Sequence, residues 1–308
     1  MIRIVLLVIG FILLFLQQYI TAISNKTQFI IFLIGIILLG IPHGAADLLV
    51  ASRNADESIK SFSKFKFLKV YVSRLILFAG ILWFFPVTGN LLFILFAAYH
   101  FGETDLHQFK TNTFLGKLFV ISYGLVILSI ILLPHFEEVK PIYQLFEAGK
   151  DNNQLILWID LNRYYILSAV GILFFTATFI YFLKNVNTDE GERGQFLIRF
   201  AALIIILFNL PMLLGFTFYF VVWHSVLSLK NIILYLRNNN KYSLLTITKQ
   251  ILLYSVMAIA GVMLFGLTGF MFTNTNAIAG YIFLGLAVLT APHMQIMHDM
   301  YNSIRLNK

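Results

Sequence analysis

The chain has 308 residues, 59% of them hydrophobic and only 12% charged, about half the charged fraction with which a soluble domain covers its surface. The formal net charge of +8 resides in short connections between apolar runs, which points to membrane orientation and away from nucleic-acid binding. The absence of cysteine excludes disulfides, iron–sulfur clusters and thiolate metal sites, so a metal must be held by His, Asp or Glu.

Apolar runs of about 18 residues or more are long enough to cross a bilayer. They predict an all-α, polytopic integral membrane helix bundle of about ten transmembrane helices (8–10), folded as one domain over 1–308. In chain order the candidate spans are 2–23, 29–50, 70–88, 90–107, 114–134, 164–183, 196–214, 216–236, 247–268 and 277–298. The first has too long an apolar core for a cleaved signal peptide, so 1–28 is expected to be retained as an extra N-terminal helix. Asn25-Lys26, Thr88-Gly89-Asn90, Pro134, Asn209-Leu210-Pro211 and Asn238-Asn239-Asn240 punctuate the breaks. The stretch 135–163 reads as a polar loop whose Leu155-Ile156-Leu157-Trp158 run can lie on the membrane surface.

Basic residues sort onto two sides of these spans. One side collects Arg3, Arg53, Lys60, Lys64, Lys66, Lys69, Lys110, Lys117, Lys184, Arg193, Arg199, Lys230, Arg237, Lys241, Lys249, Arg305 and Lys308; the other holds Lys26, Lys140, Lys150 and Arg163. The positive-inside rule then sets both termini in the cytoplasm.

Ionisable groups inside spans are costly, and their default reading is functional. His43, His100, His224 and His293 fall on the second, fourth, eighth and tenth spans, which all run outside to inside. Each lies roughly 8 to 16 residues along its helix, about 12–24 Å deep, so the four rings reach overlapping levels. One such histidine is ordinarily a hydrogen-bonded packing group; four on co-directional helices suggest an intramembrane metal site.

Neighbouring residues suggest how the rings are held. His43 and Asp47 are spaced i, i+4 on one face, so Asp47 is expected to accept the second imidazole N–H. Glu103 is placed likewise for His100, whereas Asp105 and His107 fall near the span end and read as solvated. His224 has no acid nearby; it is flanked by Trp223 and Ser225, with Ser228 one turn on. His293 follows the helix-kinking Pro292. His298 and Asp299 read as surface groups, and His135 lies too far toward the opposite side to join. Trp223, Tyr219 and Tyr99, with Met212, are candidates for an apolar substrate tunnel.

The motifs PHGAAD (42–47), YHFGETD (99–105), WHS (223–225) and TAPHM (290–294), in this order on a polytopic chain, resemble the Brp/Blh family of membrane β-carotene 15,15′-dioxygenases. The resemblance covers about 40–300. It implies an enzyme of the cell (inner) membrane that cleaves the central double bond of β-carotene with O2 into two all-trans-retinal, often supplying a microbial rhodopsin. It also implies an Fe(2+) cofactor held at His43, His100 and His224. The family pattern has a further histidine at the position of Ser228; a hydroxyl is a poor replacement for imidazole on Fe(II), which leaves His293 or water to complete the shell. Two other readings stay open: a transporter or channel using the His/Asp pairs, and a non-catalytic carotenoid or retinal binder. A di-iron hydroxylase or desaturase is disfavoured, because it needs about eight histidines in tight clusters and the chain has seven, unclustered.

Overall fold

A computed structural model describes residues 1–57, 61–145, 153–186, 189–237, 243–272 and 278–306. All regular structure among the described residues is helical: α1 Ile2–Phe15, α2 Asn25–Gly35, α3 Ile41–Ala45, α4 Asp47–Glu57, α5 Lys64–Phe84, α6 Pro86–Asp105 and α7 Phe114–Leu132. These are followed by α8 Phe136–Leu145, α9 Asn153–Lys184, α10 Glu190–Asn209, α11 Met212–Phe216, α12 Ser225–Arg237, α13 Leu244–Phe272 and α14 Ile278–Leu306. Local chemistry sets many of the boundaries. Ser24, Ser63, Thr113 and Asp189 accept the first free amides of α2, α5, α7 and α10. Pro86 starts α6 at a position where no amide is needed. Leu210 is extended before Pro211, which ends α10.

Among the described residues three stretches widen into π-helix: Leu16–Ile20, Ile36–Gly40 and Thr217–His224. The second has a plain cause. Pro42 has no amide to donate, and the preceding ladder lengthens so that Ile41 N–H reaches Ile36 O. Two of the three π segments lead directly into the histidine motifs, and such segments are frequent at functional sites.

The membrane-bundle reading holds. Seven described helices are long and apolar enough to cross a membrane, against about ten expected: Ile2–Ile20, Asn25–Ala55, Lys64–Phe84, Phe114–Leu132, Gln154–Lys184, Met212–Arg237 and Leu244–Gly261. The expected spans 90–107, 196–214 and 277–298 correspond to α6, α10 and α14. The first carries His100, Glu103 and Asp105, and the second opens with Glu190, Glu192 and Arg193, so both are less apolar than their neighbours. An apolar belt covers the outside: Leu161, Ile172, Phe175 and Phe179 on α9, and Leu252, Val256 and Met257 on α13, are exposed. Such a contiguous surface is suited to lipid and foreign to water.

Within region 135–163, the described residues 135–145 and 153–163 differ from the expected loop, while 146–152 lie outside the described residues. The described parts comprise α8 and the start of α9, tied by Lys140 to Glu137 (3.0 Å) and Asp160, and by Arg163 to Asp160 (2.9 Å). The first helix joins the main core through Leu6 and Leu7. Helices α6 and α7 meet with backbones almost touching: a Cβ on Gly102 would lie 2.0 Å from Val120 O, and one on Gly124 1.8 Å from Ala98 O. Without a strong hydrophobic drive between helices in lipid, such small-residue contacts carry association, and here they fix the helix that bears His100.

Candidate metal centre

His43 on α3, His100 on α6, His224 at the end of the Thr217–His224 segment and His293 on α14 are all buried. One ring nitrogen each from His43, His100 and His224 lies within 4.8 Å of the others. Ring centroids of His100 and His224 are 4.7 Å apart, and those of His43 and His224 5.5 Å. His293 closes the group, its centroid 5.0 Å from both His43 and His100. The four rings expected to converge do converge.

Their polar atoms have little else to do. Both nitrogens of His100, both of His224 and Nε2 of His293 are buried without a hydrogen-bond partner. Each orphaned group costs about 1–3 kcal/mol. Imidazole nitrogens brought this close together are what a transition metal takes up when the rings are neutral. The residues therefore fit a metal ion.

The partners that hold these rings differ from the sequence expectation. Asp47 serves His293, not His43: His293 Nδ1–H donates to Asp47 Oδ1 at 2.7 Å, and Tyr71 donates to Oδ2 at 3.1 Å. His43 Nδ1 lies 3.4 Å from the Leu39 carbonyl of its own helix. The i, i+4 spacing brings two residues to one face, but here another helix supplies the better partner. With Nδ1 engaged, Nε2 of His293 is left as an acceptor, the tautomer that a carboxylate–histidine–metal arrangement uses.

Glu103 does not reach His100. It receives Arg305 Nη2 at 2.6 Å, with His298 Nδ1 at 3.0 Å and Tyr99 Oη at 3.4 Å. His298, expected at the surface, belongs to this network; Asp299 does pair outside, with Gln295. Asp105, expected to be solvated, is buried and accepts from Tyr123, Tyr219 and Trp223. The tunnel candidates Tyr219 and Trp223 thus turn their polar ends away from the histidines, and Met212 packs elsewhere, with Phe136, Val139 and Ile156. Ser228 is buried one turn beyond His224, its hydroxyl without a partner. His135 stays apart beside Glu138, at 3.7 Å.

Sequence reasoning missed the buried hydrogen-bond cluster on Asp105 and the Arg305–Glu103 pair. The i, i+4 pair Tyr219 and Trp223, both able to donate from an apolar helix, was the available signal for a buried acceptor.

A bundle of apolar helices that brings buried imidazoles from separate segments together in its interior is a membrane protein with a histidine cluster that could hold a metal ion. The chain belongs to the β-carotene 15,15′-dioxygenase family, whose model matches residues 34–301. A β-carotene 15,15′-dioxygenase from Uncultured marine bacterium 66A03 is 23% identical over 266 residues, covering 86% of this chain and 91% of that protein. No solved structure matches. The family match begins within α2, after the first helix.

Proposed function

We propose that the protein cleaves the central 15,15′ double bond of β-carotene with O2 to give two all-trans-retinal, using Fe(II) held by His43, His100 and His224. The observation that carries this reading is the approach of those three imidazoles to within 4.8 Å in an apolar interior, in a chain of this family. His293 is the fourth ligand, in the role vacated by Ser228, and Asp47 fixes its tautomer. Bound there, Fe(II) supplies the one-electron chemistry by which O2 reacts with an alkene.

The chain's own residues do the rest. The histidines present a fixed geometry, which lowers the entropic part of the barrier. Phe101 and Phe220 pack beside His224 with centroids at 4.8 and 6.1 Å, and they keep water from the reacting carbons. The polyene arrives sideways from the bilayer, where so apolar a hydrocarbon already resides. Gly44, next to His43, supports such an approach, because a Cβ there would meet nothing within 4 Å. Oxidative alkene cleavage needs no side-chain acid, base or nucleophile, in keeping with a site of imidazoles and hydrocarbon. The protein resides in the cell membrane with both termini cytoplasmic, and its product suits a retinal-binding rhodopsin.

Expression in bacteria that make β-carotene tests the proposal. Orange cells should bleach and retinal should be found by chromatography. Retained colour with proton or metal-ion flux in liposomes would replace it with the transporter reading; retained colour with carotenoid bound to the purified protein would make it a binder.

A further inference from the structure

The Asp105 carboxylate sits at the end of α6, five residues past His100, and is buried. Three side chains from two other segments donate to it. Tyr123 on α7 reaches Oδ2 at 2.7 Å, Tyr219 reaches Oδ2 at 3.2 Å, and Trp223 Nε1 lies 3.1 and 3.0 Å from Oδ1 and Oδ2. Arg3 of the first helix caps the same corner by donating to the Asp105 backbone carbonyl at 2.7 Å and to Gln108 Oε1 at 3.2 Å.

Two of the three donors lie on the widened Thr217–His224 segment, and the later one immediately precedes His224. That segment therefore shows two opposed faces. Tyr219 and Trp223 turn to Asp105, while Phe220 and His224 stack on each other at 6.1 Å with planes 12° apart and face the histidine cluster. Neither nitrogen of His224 has a hydrogen bond to hold its ring, unlike His293, which Asp47 holds directly. Orientation of His224 must come from its backbone, and the backbone is clamped through its neighbour.

We propose that Asp105 is a positioning residue for the metal centre: by holding Trp223 and Tyr219 it sets the ring of His224 against His100. The proposal rests on the histidine-metal reading. It extends that reading by assigning the role a hydrogen-bonded carboxylate usually plays one shell out to a group that acts through the chain rather than on the ring.

Wild-type protein in nanodiscs, titrated with Co(II) alone and followed by its visible absorption, is the reference. Asp105→Asn keeps the shape but weakens the acceptor, and should raise the Co(II) dissociation constant by about 10–100-fold with displaced absorption bands. Trp223→Phe should do the same. The double variant should be no worse than the weaker single one, because both changes cut one connection. His135→Ala, remote from the cluster beside Glu138, should leave affinity and spectrum at their wild-type values.

Wild-type affinity and bands in Asp105→Asn would overturn the proposal. Should that variant fail to fold, unchanged affinity and bands in both Trp223→Phe and Tyr219→Phe would overturn it equally. Strictly additive losses in the double variant would also overturn it. Failure of the wild type to take up Co(II) would instead overturn the metal centre itself, before any variant is compared.

Discussion

His100 and Asp105 lie five residues apart on α6, and both are buried within a few per cent of complete, yet their polar atoms fare oppositely. Neither imidazole nitrogen finds a partner, while the carboxylate takes three side-chain donors. A buried carboxylate with its acceptors satisfied holds a fold together, whereas buried imidazole nitrogens gathered without hydrogen bonds could serve as ligands. The two kinds of environment lie within 5 residues of one helix.

The largest expected effects break the histidine side of this contrast. If the proposed iron site is right, His43→Ala, His100→Ala and His224→Ala should each lower retinal formation by about 10²-fold or more, because each would remove a ligand that water does not replace in kind. His135→Ala should leave it unchanged. Retinal yield in carotene-producing cells is the measurement, with metal content of the purified proteins beside it. A chelator should abolish turnover and added Fe(II) should restore it.

Next come the glycines, which test packing against access. Alanine at Gly124 or Gly102 drives a methyl into a neighbouring backbone carbonyl, and each should destabilise by about 1–3 kcal/mol or more in thermal unfolding of the detergent-solubilised protein. Asp47→Asn should weaken metal binding by about 10–100-fold with the fold retained, since only His293 loses its orienting acceptor. Ser228→His adds an imidazole one turn from His224 at a fully buried position; with His293 as the fourth ligand the new ring should crowd the site and lower metal affinity, and a rise would mean that position 228 faces an open place at the metal. The smallest effect is Gly44→Ala. With open space at that Cβ and a better helix former in place, stability should rise by about 0.5–1 kcal/mol.

The nearness of His43, His100, His224 and His293 was legible because position and depth along a span are properties of one strand of text read along its length. Their supports were not legible, since Asp47 chose His293 on α14 over His43 four residues away, and Glu103 chose Arg305. Spacing rules cover contacts within a helix, and these contacts cross between helices. Asp105 was misjudged because its position near a span end suggested water; the arrival of α7 and the Thr217–His224 segment on that end buried it. The stretch 135–163 misled through its charges, which pair with one another across α8 and α9.

The eight-residue Thr217–His224 segment is underwound, which makes the register of Trp223 and His224 depend on chain length as well as on side chains. One residue added to or removed from the ordinary α-helical part of such a helix turns everything downstream by about 100°. One residue removed between 217 and 222 would instead let the stretch relax toward α-helix and absorb the change. A homologue with a gap there and an intact WHS would keep its histidine facing the cluster, whereas the same gap in plain α-helix would turn it away.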